Sequence, residues 1–153
     1  MGAKQQKSAI SSHATRARPC ILVAEDYSLI ADMLIEDLSE AGFNVSGPFR
    51  SSDAALASFT CQTPDAAILD ISLADGPCVA LAERLRAMDI PFLILTGHNP
   101  EPSFGDAFAG APWLGKPMSC EDVIQALRRI LRPNHPAAIG ATLNAPGEGP
   151  GAV

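Results

Sequence analysis

The sequence has 153 residues, a hydrophobic fraction of 47% and a formal net charge of −6, which suits one domain with tails and excludes a disordered or collagen-like chain. Charge is unevenly spread: Lys4, Lys7, Arg16 and Arg18 make the first eighteen residues basic, whereas Pro19 to Pro133 holds every acidic residue except Glu148 against seven basic ones. An acidic body repels phosphate backbones, so nucleic-acid binding by that body is not expected.

Residues 1–18 are rich in Ser, Ala, Gln and Lys without an apolar period. A solvated flexible tail is expected there, with contact to an acidic partner as the alternative. Cys20 to Ala24 is a continuous apolar run, as in a strand buried on both faces. A helix follows, with Ser28 as its expected N-cap, Ile30, Leu34 and Leu38 on one face, and Gly42 closing it. Phe43 to Ser46 is expected to be a second strand, ending at Gly47-Pro48, and Ser52 to Phe59 a second, Ala-rich helix. Ala66 to Leu69 forms the expected third strand and Val79 to Met88 the third helix. Pro91 to Leu95 is the most hydrophobic strand. Asn99 to Pro112 carries Pro100, Pro102, Gly105, Gly110 and Pro112, which leaves room only for a short helix, Ser103 to Ala109. Trp113-Leu114 is a short fifth strand. Ser119 then caps a last helix in which Val123, Ile124, Leu127, Ile130 and Leu131 keep a helical period. From residue 134 onward Pro, Gly and Ala leave almost nothing to bury, and disorder is expected. The folded body is therefore 19–133. Strand-helix alternation repeated five times argues for an α/β doubly wound parallel sheet with helices on both faces.

The cysteines, Cys20, Cys61, Cys78 and Cys120, are widely spaced with no CxxC pair, so neither a disulfide framework nor a zinc site is expected and a reducing cytoplasm fits. No run of about 18 apolar residues offers a transmembrane helix. The N-terminus lacks the apolar stretch of a secretory signal. No membrane association is expected.

In such a fold, chemistry gathers outside the carboxyl ends of the strands. Glu25 and Asp26 follow the first strand, Asp70 ends the third, Thr96 the fourth, and Lys116-Pro117 follows the fifth. Three carboxylates, a hydroxyl and the body's one lysine thus converge on one sheet edge. Three acids brought together raise the pKa of at least one unless a cation intervenes, and a hard divalent ion with oxygen ligands, Mg²⁺ where phosphate also binds, relieves the repulsion. A carboxylate can act as a nucleophile toward phosphorus. Positive charge and hydrogen bonds at the equatorial oxygens then supply most of what phosphoryl transfer needs.

The set of an acidic pair after strand one, Asp ending strand three, Thr ending strand four and Lys-Pro after strand five resembles the response-regulator receiver family over about Arg18 to Pro133. The resemblance implies a flavodoxin-like (βα)5 three-layer sandwich with strand order 2-1-3-4-5. It implies that Asp70 is the phosphoacceptor and that Asp26, Asp70 and the Ser72 backbone carbonyl ligate Mg²⁺, with Glu25 nearby or acting through water. It further implies that Thr96 is the switch hydroxyl, that Trp113 stands where the family has a Tyr or Phe that turns inward, and that the Lys116-Pro117 peptide is cis. The loop DISLADG followed by Thr96-Gly97-His98 looks like a subgroup with DxNL-type loops and TGH. Ser72 and His98 fall where the family tunes phosphoryl lifetime.

Each residue alone has a plainer reading. Acids before a helix favour its positive end, Asp75-Gly76 makes a turn, and Arg128, Arg129 and Arg132 complement the negative end of the last helix or form a docking patch. Together the cluster points to a two-component phosphorelay switch rather than an enzyme. Its phosphodonor would be a sensor histidine kinase or a histidine phosphotransfer protein. The twenty residues after Pro133 are too few for an effector domain, so output to a downstream protein by protein contact is expected, with a homodimer as an open arrangement. Two alternatives remain at this stage: a degenerate receiver serving as a phosphorylation-independent interaction module, and a metal-dependent phosphatase of the haloacid-dehalogenase type. The latter wants a second acid two residues after its nucleophile, which neither Glu25-Asp26 nor Asp70 has.

Overall fold

The computed structural model describes residues 17–97 and 102–132. His98, the expected tail from 134 onward and all of the N-terminal tail except Ala17 and Arg18 lie outside the described residues. Strands β1 (Cys20–Ala24), β2 (Asn44–Phe49), β3 (Ala66–Asp70), β4 (Phe92–Thr96) and β5 (Trp113–Gly115) form one sheet in the order β2-β1-β3-β4-β5, every pairing parallel. Helices α1 (Ser28–Glu40), α2 (Ser52–Ser58), α3 (Val79–Ala87) and α4 (Cys120–Ile130) complete the expected doubly wound sandwich.

Side-chain parity explains the layers. β1, β3 and β4 are buried along their whole length, as continuous apolar runs require when both faces are covered. Leu22, Ala24, Ala67, Leu69, Phe92 and Ile94 pack with Ala55 of α2 and Leu81 and Leu85 of α3. Their neighbours Ile21, Val23, Ala66, Ile68, Leu93 and Leu95 pack with Leu34 and Leu38 of α1 and Val123 and Leu127 of α4. A one-residue slip would exchange the two sets, so each layer fixes the register of the other.

Several expectations need correction. β2 does not stop at Ser46; it runs to Phe49 through a bulge. The pairing passes from Leu22↔Ser46 to Ala24↔Phe49, so two residues of β2 oppose Val23 alone, and the bulge needs Gly47 at φ +118°. Ser28 is the first helical residue rather than the N-cap, which is Tyr27 without a side-chain cap. The Tyr27 N–H instead donates to Glu25 Oε1 at 3.0 Å, because the short β1–α1 connection brings that carboxylate back over the helix start. The fourth helix is not α-helical: Pro102–Phe108 forms 3₁₀ turns broken at Gly105 (φ 61°, ψ −151°), a region open essentially to glycine only. A two-residue antiparallel ladder, Ser72–Leu73 with Gly76–Pro77, was not anticipated. The other element ends move by one residue, the usual indeterminacy of helix and strand termini. Ser119 does cap α4, its Oγ accepting from the Asp122 N–H at 3.1 Å.

All four cysteines are free; Cys20 and Cys78 are buried, Cys61 and Cys120 exposed. Burial pushes the Cys78 thiol up to about 12, so it supplies almost no reactive thiolate near neutrality. A thiol reagent at pH 8 is expected to label two sites in the native protein. Labelling of Cys20 and Cys78 should wait for denaturant, as mass spectrometry of the adducts would show.

Candidate functional site

Strand register alone brings the chemistry together. Ala24 pairs with Leu69, so the residues that follow, Glu25 and Asp70, leave β1 and β3 side by side. Asp70 pairs with Leu95, one residue before Thr96. Thr96 pairs with Gly115, which puts Lys116 just beyond the edge; its N–H donates to the Thr96 carbonyl at 2.8 Å. Parallel strands all point one way, so four residues from four segments meet without any long excursion.

Two side chains of this set meet the lysine. Lys116 Nζ donates to Glu25 Oε2 at 2.9 Å and to Asp70 Oδ2 at 3.1 Å. The second Asp70 oxygen accepts the Ser72 N–H at 3.1 Å. Carboxylate oxygens of Glu25, Asp26 and Asp70 lie within 4.8 Å of one another. Glu25 is 1% exposed and Asp70 8%, while Asp26 is half-buried at the rim. The Glu25 N–H donates to the Phe49 carbonyl at 2.9 Å, so the β2 bulge aims the first acid of the cluster.

Charge in this cluster does not balance. Burial pushes the Glu25 carboxyl above its ordinary range; the hydrogen bonds from Lys116 and Tyr27 offset part of that push, and the Asp70 charge adds to it. Burial also works against the Lys116 charge, but the contacts to Glu25 and Asp70 outweigh it and raise the ammonium's pKa. Both shifts have one meaning: a single ammonium faces three carboxylates, and the site favours additional positive charge. An all-oxygen, partly buried donor set of this kind fits a hard divalent cation such as Mg²⁺.

The remaining expected residues are placed as follows. Thr96 is buried at the end of β4. Ser72 uses its amide toward Asp70, while its side chain faces solvent. The Lys116–Pro117 peptide is cis, as is Gly47–Pro48. Trp113 is half-buried and stands edge-on to Phe108, ring centroids 5.8 Å apart, with Phe108 in turn edge-on to Phe104 at 5.7 Å. Arg128 and Arg129 are exposed in the last turn of α4, where they complement its negative end.

Asp75 does more than make a turn. Asp75 accepts two amides at the start of α2, Ser52 N–H at 2.9 Å and Asp53 N–H at 3.1 Å. These hydrogen bonds hold its carboxyl below the ordinary range. Its partners lie more than twenty residues earlier in the chain, so no local pattern announces the contact.

Comparison with known proteins agrees with this architecture. The model of the response regulator receiver domain matches residues 21–128. The Mycobacterium tuberculosis protein named "Probable transcriptional regulatory protein TcrX" is 30% identical over 116 residues, covering 73% of this chain and 49% of that protein. The transcriptional regulatory protein CreB of Escherichia coli is 31% identical over 119 residues, covering 75% and 52% respectively. The chain thus spans about half the length of the curated relatives it matches. A CheY-like receiver domain protein from Methanospirillum hungatei superposes with a TM-score of 0.67 at 23% identity, over 74% of this chain and 94% of that one; that likeness speaks to the fold. Among the described residues no helix is long and apolar enough to cross a membrane. Fold, acidic edge and family match agree: this chain belongs to the response regulator receiver family, the switch domain of two-component signalling systems.

Proposed function

We propose that Asp70 accepts a phosphoryl group from a phosphohistidine, on a sensor histidine kinase or a phosphotransfer protein, and that the domain passes the resulting state to a downstream protein by contact. The observation that carries this is the Asp70 carboxylate itself, buried at a strand end, with one oxygen on the Lys116 ammonium and the other on the Ser72 amide. Asp26, Asp70 and the Ser72 carbonyl would hold Mg²⁺, with Glu25 close by or bridging through water. The ion would supply the positive charge that lets acidic and phosphoryl oxygens share one site. In the transfer an Asp70 oxygen bonds to phosphorus while the phosphorus–nitrogen bond of the donor breaks and the imidazole departs. Lys116 neutralises charge on the acceptor side, and the Thr96 hydroxyl takes up a phosphoryl oxygen, the step that would pull β4 and report the event. The donor would approach over the rim at Asp26, where Tyr27, Leu29 and Met33 expose large apolar surface, 58%, 59% and 54% of each residue. An acidic body favours a protein rather than a nucleic acid as the recipient. The subgroup implied by the DISLADG and TGH segments belongs to this proposal too.

The test is intact-mass spectrometry after incubation with acetyl phosphate and Mg²⁺. The wild type is expected to gain about 80 Da, one phosphoryl group. That gain should vanish with a chelator and in Asp70→Asn. An equal gain in Asp70→Asn would place the acceptor elsewhere. No gain with either acetyl phosphate or a phosphorylated histidine donor would move the reading to a phosphorylation-independent interaction module.

A further inference from the structure

We infer that Asp75 is a positioning residue for the phosphoacceptor site, holding the loop that carries Ile71 and Ser72 against the start of α2; this rests on the assignment of Asp70 proposed above. Both Asp75 oxygens are engaged, one on each of two consecutive α2 amides, at 2.9 and 3.1 Å. A carboxylate held at both oxygens cannot swing about its last bond, so the contact fixes a direction as well as a distance. A second tie lies beside it: the Ala74 N–H donates to the Arg50 carbonyl at 2.9 Å. At its base the loop is closed by the Ser72–Leu73 and Gly76–Pro77 ladder and by the Cys78 N–H on the Ile71 carbonyl at 3.0 Å. Ile71 and Leu73 are buried in the layer under α2 and α3. The segment from Asp70 to Asp75 is thus pinned at both ends and underneath, and the amide that meets Asp70 Oδ1 belongs to its third residue, Ser72.

Capping alone does not account for this arrangement. α2 already has a local side-chain cap, Ser51 Oγ accepting the Ala54 N–H at 3.1 Å. The two other amides at that end are taken by a residue from the far side of β3. What Asp75 adds over Ser51 is a mechanical link between the helix and the loop. Without it the Ser72 peptide group would sample positions in which its amide no longer meets Asp70 and its carbonyl would no longer be placed to hold a cation there, and small displacements of this kind reduce transfer steeply.

Four proteins separate the two roles: wild type, Asp75→Ala, Asp75→Asn and Ser51→Ala. Each is read by its rate of phosphoryl uptake from acetyl phosphate with Mg²⁺, by amide hydrogen exchange of residues 71–78, and by its urea midpoint. Asp75→Ala is expected to slow uptake by about tenfold and to speed exchange across 71–78. Asp75→Asn, which keeps one acceptor oxygen, should fall between it and the wild type, and it serves in place of the alanine variant should that one fail to fold. Ser51→Ala removes a cap from the same helix end; it should lower the midpoint and leave the uptake rate as in the wild type. A wild-type rate in Asp75→Ala would overturn the inference. So would equal slowing in Ser51→Ala, or exchange across 71–78 that does not change. Absence of uptake by the wild type itself would instead count against Asp70 as acceptor, and the exchange comparison would still decide whether Asp75 holds the loop.

Discussion

Lys116→Met is expected to destabilise the protein by about 3 kcal/mol near pH 7, since removing one partner of a buried ion pair strands the other. For a domain of this size the loss corresponds to a fall in Tm on the order of 10 °C. Methionine keeps most of the apolar stem, so the loss isolates the ammonium from the packing around it. Two carboxylates lose their hydrogen-bonded cation at once, Glu25 at 2.9 Å and Asp70 at 3.1 Å, and Glu25 is almost wholly buried. The pH dependence has a definite sign. Burial already raises the Glu25 carboxyl, and Lys116 together with the Tyr27 amide restrains it; without Lys116 it rises further. A raised carboxyl favours the folded state at low pH, where it is protonated, and that contribution is lost as pH climbs through the folded value. The deficit of the variant against wild type should therefore be largest at neutral and alkaline pH and should shrink toward the ordinary glutamate range. A divalent cation among the acids would take over part of the ammonium's role, so millimolar Mg²⁺ is expected to stabilise the variant more than the wild type and to restore part of the deficit. Urea melts at several pH values, with and without Mg²⁺, would check all three statements. A deficit that does not vary with pH would mean that the loss lies in packing.

The second large effect concerns a residue with no side chain. Gly47→Ala is expected to cost about 3 kcal/mol, more than Gly76→Ala at about 1 kcal/mol, although both glycines sit at strongly positive φ. The difference is space. A Cβ on Gly47 would stand 2.6 Å from the Val23 carbonyl oxygen and 3.0 Å from the Phe49 amide, whereas one on Gly76 meets nothing within 4 Å. Backbone atoms cannot step aside as a flexible side chain can, so the bulge must open. Opening it moves Phe49, whose carbonyl holds the Glu25 amide, and a stability defect at the sheet edge becomes a defect in the acidic site. Paired denaturation curves of the two variants, with Mg²⁺ titrations beside them, would test this. Equal destabilisation would show that conformational preference rather than the close approach decides.

Much of this architecture could be read in advance because its signals are local. The runs CILVA, AAILD and FLILT are too uniformly apolar to be anything but strands covered on both faces, and the residues that follow each one carry the chemistry. Parallel pairing then does the assembling, so order along the chain was enough to bring Glu25, Asp70, Thr96 and Lys116 to one edge. What escaped depends on partners far apart in sequence. Gly47-Pro48 looked like a strand end, since nothing nearby shows that the chain resumes pairing with β1 one residue out of step. Asp75 looked like half of a turn, since its partners belong to a helix that precedes β3. Residue type alone points to Ser28 as the cap, but the carboxylate of Glu25 does part of that work instead. The segment after β4 carried enough proline and glycine to argue against a full helix, but the break at Gly105 is a matter of dihedral angles that composition does not specify.

The row of rings from Phe104 through Phe108 to Trp113 has a practical side. The chain holds one tryptophan, three positions before the lysine that grips Asp70 and edge-on to Phe108. Every red-edge photon the protein emits therefore comes from a single corner of the sheet. Shifts in colour or lifetime on adding Mg²⁺, a phosphodonor or a partner would track that corner in real time, with no dye attached and no residue changed.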